Sequence, residues 1–158
     1  MLAASVELRT ARQLVGRLKA MRTSLRKQLR SKEVHEFARL VEDLGYVDYR
    51  SLEREKVDFA RLVGEALRFY RRLLKTHGAD AAALNNTGVL ISNNGQPSKA
   101  RPYFVEALEL APRDATIHEN LRIVDILTRR PRRRWHAVPG GLRRGKRTFQ
   151  SYFDPHAM

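Results

Sequence analysis

The sequence predicts an all-α protein of about six helices packed as antiparallel hairpins. Apolar residues recur at spacings of three and four along most of the 158-residue chain, which is the period of an amphipathic helix. Segments that alternate apolar and polar residues, as a half-buried strand does, are not found. An Asn94-Gly95 pair interrupts one apolar stretch and supplies the turn that a helical hairpin needs.

Charge is segregated along the chain and divides it into three parts. Residues 1–32 carry nine Lys and Arg and one acid, and residues 129–158 carry the same numbers. Between them, residues 33–128 carry thirteen bases and fifteen acids. We therefore predict a near-neutral helical domain at 33–129, flanked by a basic N-terminal helix at 1–32 and a basic extended tail at 130–158.

The first predicted helix runs from Ala3 to Arg30, has one apolar stripe, and is basic on its other face. Three uses are open: packing of the stripe on the body, mitochondrial targeting, and binding to phosphate. We prefer packing, with phosphate contact as a compatible use of the opposite face. An Arg-rich, acid-poor N-terminus is typical of matrix-side mitochondrial proteins, and a cytoplasmic location is the alternative. The RNA-binding candidates on this helix are Arg12, Lys19, Arg22 and Arg26.

Two helices are predicted before the central part of the chain. The first begins at Ser31 and ends at Gly45. The second begins at Asp48 or Ser51, runs without a break to about Thr76, and is followed by Gly78.

The central stretch, residues 81–112, contains two short helices joined by the Asn94-Gly95 turn. Asp80 caps the first helix, and Pro97 starts the second. Pro102 is expected within the first turn or so, where its missing N–H is not needed. Small residues at the contact indicate that the two helices approach closely. The residues that would pack them together are Leu84, Gly88, Gly95, Ala100, Phe104, Ala107 and Pro112.

This spacing resembles one tetratricopeptide repeat, a helix-turn-helix unit of about 34 residues. Thr87 and Ile91 depart from it, since the repeat usually has Leu and Tyr there. Only partial copies flank it, and one repeat cannot bury its own apolar face, so the resemblance implies a stack of helices. It also implies a protein-binding face lined by the first helices of successive repeats. That face would comprise Asn85, Asn86, Val89, Ser92, Asn93, Glu119 and Ile123.

The last predicted helix runs from Asp114 to about Thr128, and the tail beyond Pro131 has no helical period. The tail mixes bases with aromatic residues and cannot form a packed core. Arginine binds phosphate through its planar fork, and aromatic rings stack on unpaired bases. The RNA-binding candidates here are Arg129, Arg130, Arg132, Arg133, Arg134, Trp135, Arg143, Arg144, Lys146, Arg147, Phe149 and Tyr152.

Several kinds of chemistry find no support in the sequence. The chain has no cysteine, its five histidines lack paired metal-ligand spacing, and no glycine-rich loop follows a strand. No apolar run approaches the roughly 18 residues of a membrane span. We expect no enzymatic activity, metal, cofactor, small-molecule substrate or transmembrane segment.

These observations favour a non-enzymatic adaptor or structural subunit of a large assembly, foremost a ribonucleoprotein such as an organellar ribosome. The repeat-like domain would bind protein subunits while the basic ends contact RNA. The alternative is a scaffold or accessory subunit of a protein-only complex, for example a mitochondrial membrane complex. In that case the tail would lie on acidic protein or lipid surfaces.

Overall fold

A computed structural model describes residues 2–129, with side chains from residue 8 onward, and this part of the chain is helical throughout. The all-α class is confirmed, with seven helices in the described range where about six were predicted. The helices are α1 (Leu2–Lys27), α2 (Ser31–Leu44), α3 (Tyr49–Arg54), α4 (Phe59–His77), α5 (Ala81–Asn93), α6 (Pro97–Leu110) and α7 (Ala115–Arg129).

The single long helix predicted after α2 is in fact two helices, α3 and α4. Each has its own N-cap: Asp48 accepts a hydrogen bond from the N–H of Ser51 at 3.0 Å, and Asp58 accepts one from the N–H of Arg61 at 3.1 Å. Between them Lys56 has a φ of 53°, in the left-handed region, which ends α3. The prediction was wrong because the Asp58 carboxylate satisfies N–H groups at a new helix start and so competes with continuation of the helix.

Two hydrophobic clusters make the core, and α5 contributes to both. The first joins α1, α2, α3 and α4 to Ala83 and Leu90 of α5. In it, Phe37 and Phe69 meet edge to face with ring centroids 5.1 Å apart. Leu18 of α1 is fully buried there, so the basic N-terminal helix is packed onto the body through its apolar stripe. The second cluster lies between α5, α6 and α7.

The α5–α6 hairpin is close-packed at Gly88. A Cβ atom added to Gly88 would lie 2.7 Å from Cε1 of Phe104, so the two helices approach at a distance that only glycine permits. Gly95 in the connecting turn has a φ of 84°, which also favours glycine. The remaining residues predicted to pack this hairpin are Leu84, Ala100 and Ala107, all buried, and Pro112, exposed beyond α6.

Pro102 lies deeper in α6 than predicted. The helix begins at Pro97, which places Pro102 in its second turn, so the expected first-turn limit was wrong. Proline at this position removes a hydrogen bond to the carbonyl of Ser98. Both residues are on the exposed side of α6.

Candidate nucleic-acid interface

Of the four cations on α1 that are predicted to contact RNA, two are bonded to acids and two are not. Arg12 donates from Nε to Glu55 Oε1 at 2.6 Å, and Arg22 binds Glu65 through both Nε and Nη2, the latter at 2.8 Å to Oε2. Hydrogen bonding to Glu65 raises the pKa of the Arg22 guanidinium. Lys19 and Arg26 are exposed and form no ion pair within the described residues.

These two ion pairs show how α1 lies against the α3–α4 segment. In each pair the partners are 43 residues apart in sequence. A constant offset means that the two segments run in the same direction, since antiparallel segments would keep a constant sum instead. Counted along α1 and α4 from the Arg22–Glu65 pair, Lys19 and Leu62 each lie three residues earlier, and Arg26 and Phe69 each lie four residues later.

A groove of about 550 Å³ separates α1 from the α3–α4 segment. Its apolar lining residues include Leu18 and Leu62, on α1 and α4 respectively. Charged side chains make up most of the rest, with six bases against three acids. The bases are Lys19, Arg22, Arg26, Lys56, Arg61 and Arg68, and the acids are Glu55, Asp58 and Glu65.

Sequence reasoning missed the bases that α4 and its preceding loop bring to this groove. It treated residues 33–128 as a near-neutral body, because their charges almost cancel in sum. A local signal was present: Arg61 and Arg68 are seven residues apart, which places them on one face of a helix.

Most of the predicted protein-binding face lies inside the molecule. Four of its residues are at most 3 % exposed, because α2 and α4 cover one side of α5 while α6 and α7 cover the other. A partner could reach these four only by displacing a helix. They are Asn85, Asn86, Val89 and Ser92, whereas Asn93, Glu119 and Ile123 stay partly accessible.

A buried chain of hydrogen bonds holds the asparagines in this position. Asn120 on α7 donates to Oδ1 of Asn85 at 2.9 Å, and Asn85 donates to Oδ1 of Asn86 at 3.3 Å. Asn86 Nδ2 lies 3.0 Å from Nδ1 of His35, which is also 2.9 Å from the hydroxyl of Tyr70. These hydrogen bonds tie α7, α5, α2 and α4 together through buried polar side chains.

The hydrogen bonds of His35 fit a neutral imidazole. With the amide nitrogen of Asn86 facing Nδ1, that ring nitrogen accepts and the ring proton is on Nε2. Burial lowers the pKa of His35, and the negative charge of Asp80 opposes the shift in part. Burial also raises the pKa of the Tyr70 hydroxyl. The signal for this network was a lone histidine between the buried Val34 and Phe37, but nothing local indicated its partners.

The predicted RNA contacts of the tail lie almost wholly beyond the described residues. Arg129, the last residue described, is exposed at the end of α7. Those outside the described range are Arg130, Arg132, Arg133, Arg134, Trp135, Arg143, Arg144, Lys146, Arg147, Phe149 and Tyr152.

Within residues 2–129, no helix is both long and apolar enough to cross a bilayer. The same range contains no group of three or more His, Asp or Glu side chains placed to hold a metal ion. Comparison with protein-family models, curated proteins and solved structures finds no match to this chain. Inferences about its function therefore rest on its own residues.

Proposed function

We propose that this chain is a non-enzymatic adaptor subunit of a ribonucleoprotein, such as an organellar ribosome, in which its basic surfaces contact RNA and its helical body contacts protein. The observation that carries the proposal is the exposed cationic face of α1. Lys19 and Arg26 point to solvent and have no acidic partner among the described residues. Such cations attract phosphates, which release their counterions on binding.

The packing of α1 supports a permanent surface. Its apolar side is anchored by Leu18 and Leu25 in the first hydrophobic cluster, and its ion pairs reach Glu55 and Glu65. The exposed side is therefore presented in one orientation, so binding RNA does not have to order this helix.

Exposed apolar side chains support the contact with protein. Leu110 on α6 is 50 % exposed and Ile126 on α7 is 40 % exposed. In the part of the chain that the structure describes, α7 is the last helix of the stack. Burying these side chains against a neighbouring subunit would remove apolar surface from water and stabilise the contact.

The test is the salt dependence of binding to a structured RNA by the full chain. Exchanging Lys19→Gln together with Arg26→Gln should lower the slope of log K against log salt by about one unit for each phosphate that the variant no longer neutralises. The matched control is Lys99→Gln with Arg113→Gln, which removes the same charge from exposed positions on and after α6. The control should keep the parental slope.

Equal slopes for the parent, the α1 variant and the control would contradict RNA contact through α1. Deletion of residues 130–158 supplies a second outcome. If it leaves RNA affinity unchanged but releases the chain from its assembly, a scaffold in a protein-only complex becomes the better description.

A further inference from the structure

We propose that the groove between α1 and α4 is a composite site for the phosphodiester backbone of a nucleic acid, with Lys19 and Arg26 on one wall and Arg61 and Arg68 on the other. This inference rests on the proposed function and extends it. Sequence reasoning assigned RNA contact to the two basic ends alone, whereas this site takes half of its cations from the near-neutral body.

Every carboxylate of the groove already has a partner within the chain. Glu55 accepts from Arg12 and Glu65 accepts from Arg22. The side chain of Asp58 accepts from the backbone N–H of Arg61 and caps α4. Two of the three acids are therefore engaged with arginines of α1, and the bases that line the groove outnumber its acids by six to three.

The other cations of the groove have no such partner. Lys19, Arg26, Lys56, Arg61 and Arg68 are all exposed, and none forms an ion pair among the described residues. Like charges that line one cleft focus a positive potential there, which raises the local concentration of anions. The groove is thus electrostatically complementary to a chain of phosphates.

The spacing of the cations favours a polymer over a single anion. Lys19 and Arg26 are seven residues apart on α1, and Arg61 and Arg68 are seven residues apart on α4. At a rise of about 1.5 Å per residue, each interval is about 10 Å. Because the helices run in parallel, Lys19 faces Arg61 across the groove, and Arg26 faces Arg68. These two facing pairs are about 10 Å apart along the helix axes. Two cationic positions this far apart match an extended polyanion.

The bond between Arg22 and Glu65 links the walls between these two positions. Their side chains are only 25 % and 10 % exposed, so the link is shielded from water. Next to it, a Cβ atom on Gly64 would be 3.8 Å from Nη1 of Arg68, which shows that the guanidinium lies back along α4 over the glycine. The bond between Arg22 and Glu65 thus joins the two walls before a ligand arrives.

The test compares two variants of the full chain that change the same helix by the same charge. One carries Arg61→Gln and Arg68→Gln, inside the groove. The other carries Arg71→Gln and Arg72→Gln, which are exposed residues of α4 that do not line the groove and form no ion pair among the described residues. Each is titrated against a structured RNA over a salt series, and circular dichroism verifies that both remain helical.

We expect the groove variant to lower the salt slope by about two units and to weaken binding by at least about tenfold at low salt. The control should stay within about twofold of the parent. Equal losses in both variants would show that the RNA responds to diffuse positive charge, which would overturn the groove. If the groove variant behaves as the parent does, the groove is overturned as well.

The exchange of Lys19 and Arg26 for Gln distinguishes the groove site from the proposed function. If it weakens RNA binding while the two α4 variants behave alike, the groove site is overturned and the proposed function is retained. If neither the α1 exchange nor the Arg61 and Arg68 exchange changes RNA binding, the groove is overturned, and so is the RNA contact through α1 that carries the proposed function.

Competitors identify the ligand. A short oligonucleotide should displace the RNA, whereas inorganic phosphate at equal phosphate concentration and ionic strength should not. Displacement by inorganic phosphate would indicate a site for single anions and overturn the assignment to a polymer. Equal displacement by poly-glutamate would indicate an acidic protein segment and overturn the assignment to nucleic acid.

Discussion

Replacing Gly88 with alanine tests the packing on which the α5–α6 hairpin depends. The added Cβ atom would lie 2.7 Å, 2.8 Å and 3.1 Å from three ring carbons of Phe104. The first two distances are shorter than real Cβ atoms show, so the ring or a helix must move. Phe104 is fully buried among Leu84, Ala100 and Ala107 in the second cluster, which leaves the ring little room.

The free-energy cost of the clash at position 88 can be separated from the change in helix propensity. Alanine is favoured over glycine inside a helix by about 1 kcal/mol, and this gain opposes the cost of the clash. Gly16 in α1 supplies the reference, because it is exposed and a Cβ there would meet no atom within 4 Å. Gly16→Ala should therefore stabilise the protein by about 1 kcal/mol. The difference between the two substitutions isolates the overpacking at Gly88, for which we expect about 1–3 kcal/mol.

Urea unfolding followed by circular dichroism measures both variants. The midpoint should move down for Gly88→Ala relative to Gly16→Ala, with an unchanged dependence on urea. In a Phe104→Leu background the penalty at Gly88 should shrink, because the ring atoms that cause it are gone. A gain in stability for Gly88→Ala equal to that of Gly16→Ala would refute the clash. A penalty of the same size with and without the Phe104 ring would refute it too.

Two further predictions concern polar contacts of the core. Because burial lowers the pKa of His35, its neutral form contributes stability that is complete above its ordinary pKa of 6.5 and is lost as the pH falls through the lowered value. The stability gap between the parent and His35→Gln should therefore narrow from about pH 7.5 to 5, and a constant gap would contradict a buried neutral imidazole. A double-mutant cycle with Arg22→Ala and Glu65→Gln should give a coupling of about 1–3 kcal/mol, because this pair is shielded from water. A coupling no larger than that of a fully exposed ion pair would show that the link between α1 and α4 adds nothing to stability.

Much of the local structure could be predicted from the residues alone. Asp80 accepts hydrogen bonds from Ala82 and Ala83 at the start of α5, as an N-cap aspartate is expected to. Asp58 caps α4 in the same way, but this helix start was not predicted, because the apolar stripe continues past Asp58 without a change of period. Periodicity reports which side of a helix is apolar, but a break within a stripe is visible only through its cap.

The candidate site was predicted in part. The exposed cations of α1 could be found from the helical period, since the stripe through Leu18 and Leu25 leaves Lys19 and Arg26 on other faces. Their partners across the groove could not, because the offset that aligns α1 with α4 belongs to the packing of two distant segments. The summed charge of residues 33–128 also concealed Arg61, since the sum does not show that bases of α4 and α1 line one groove in which they outnumber the acids.

The sequence by itself determined the helical class, most helix ends and the need for glycine at position 88, since period, capping and small-residue spacing act over a few neighbouring residues. Only the tertiary structure decided that Asn85 and Val89 are buried. Helices α2 and α4 of the same chain cover a side of α5 that was predicted to bind another protein. The tertiary structure also decided that Arg68 faces α1 across a groove. Which helix covers which face is a property of contacts between residues far apart in the chain, and no local pattern contains it.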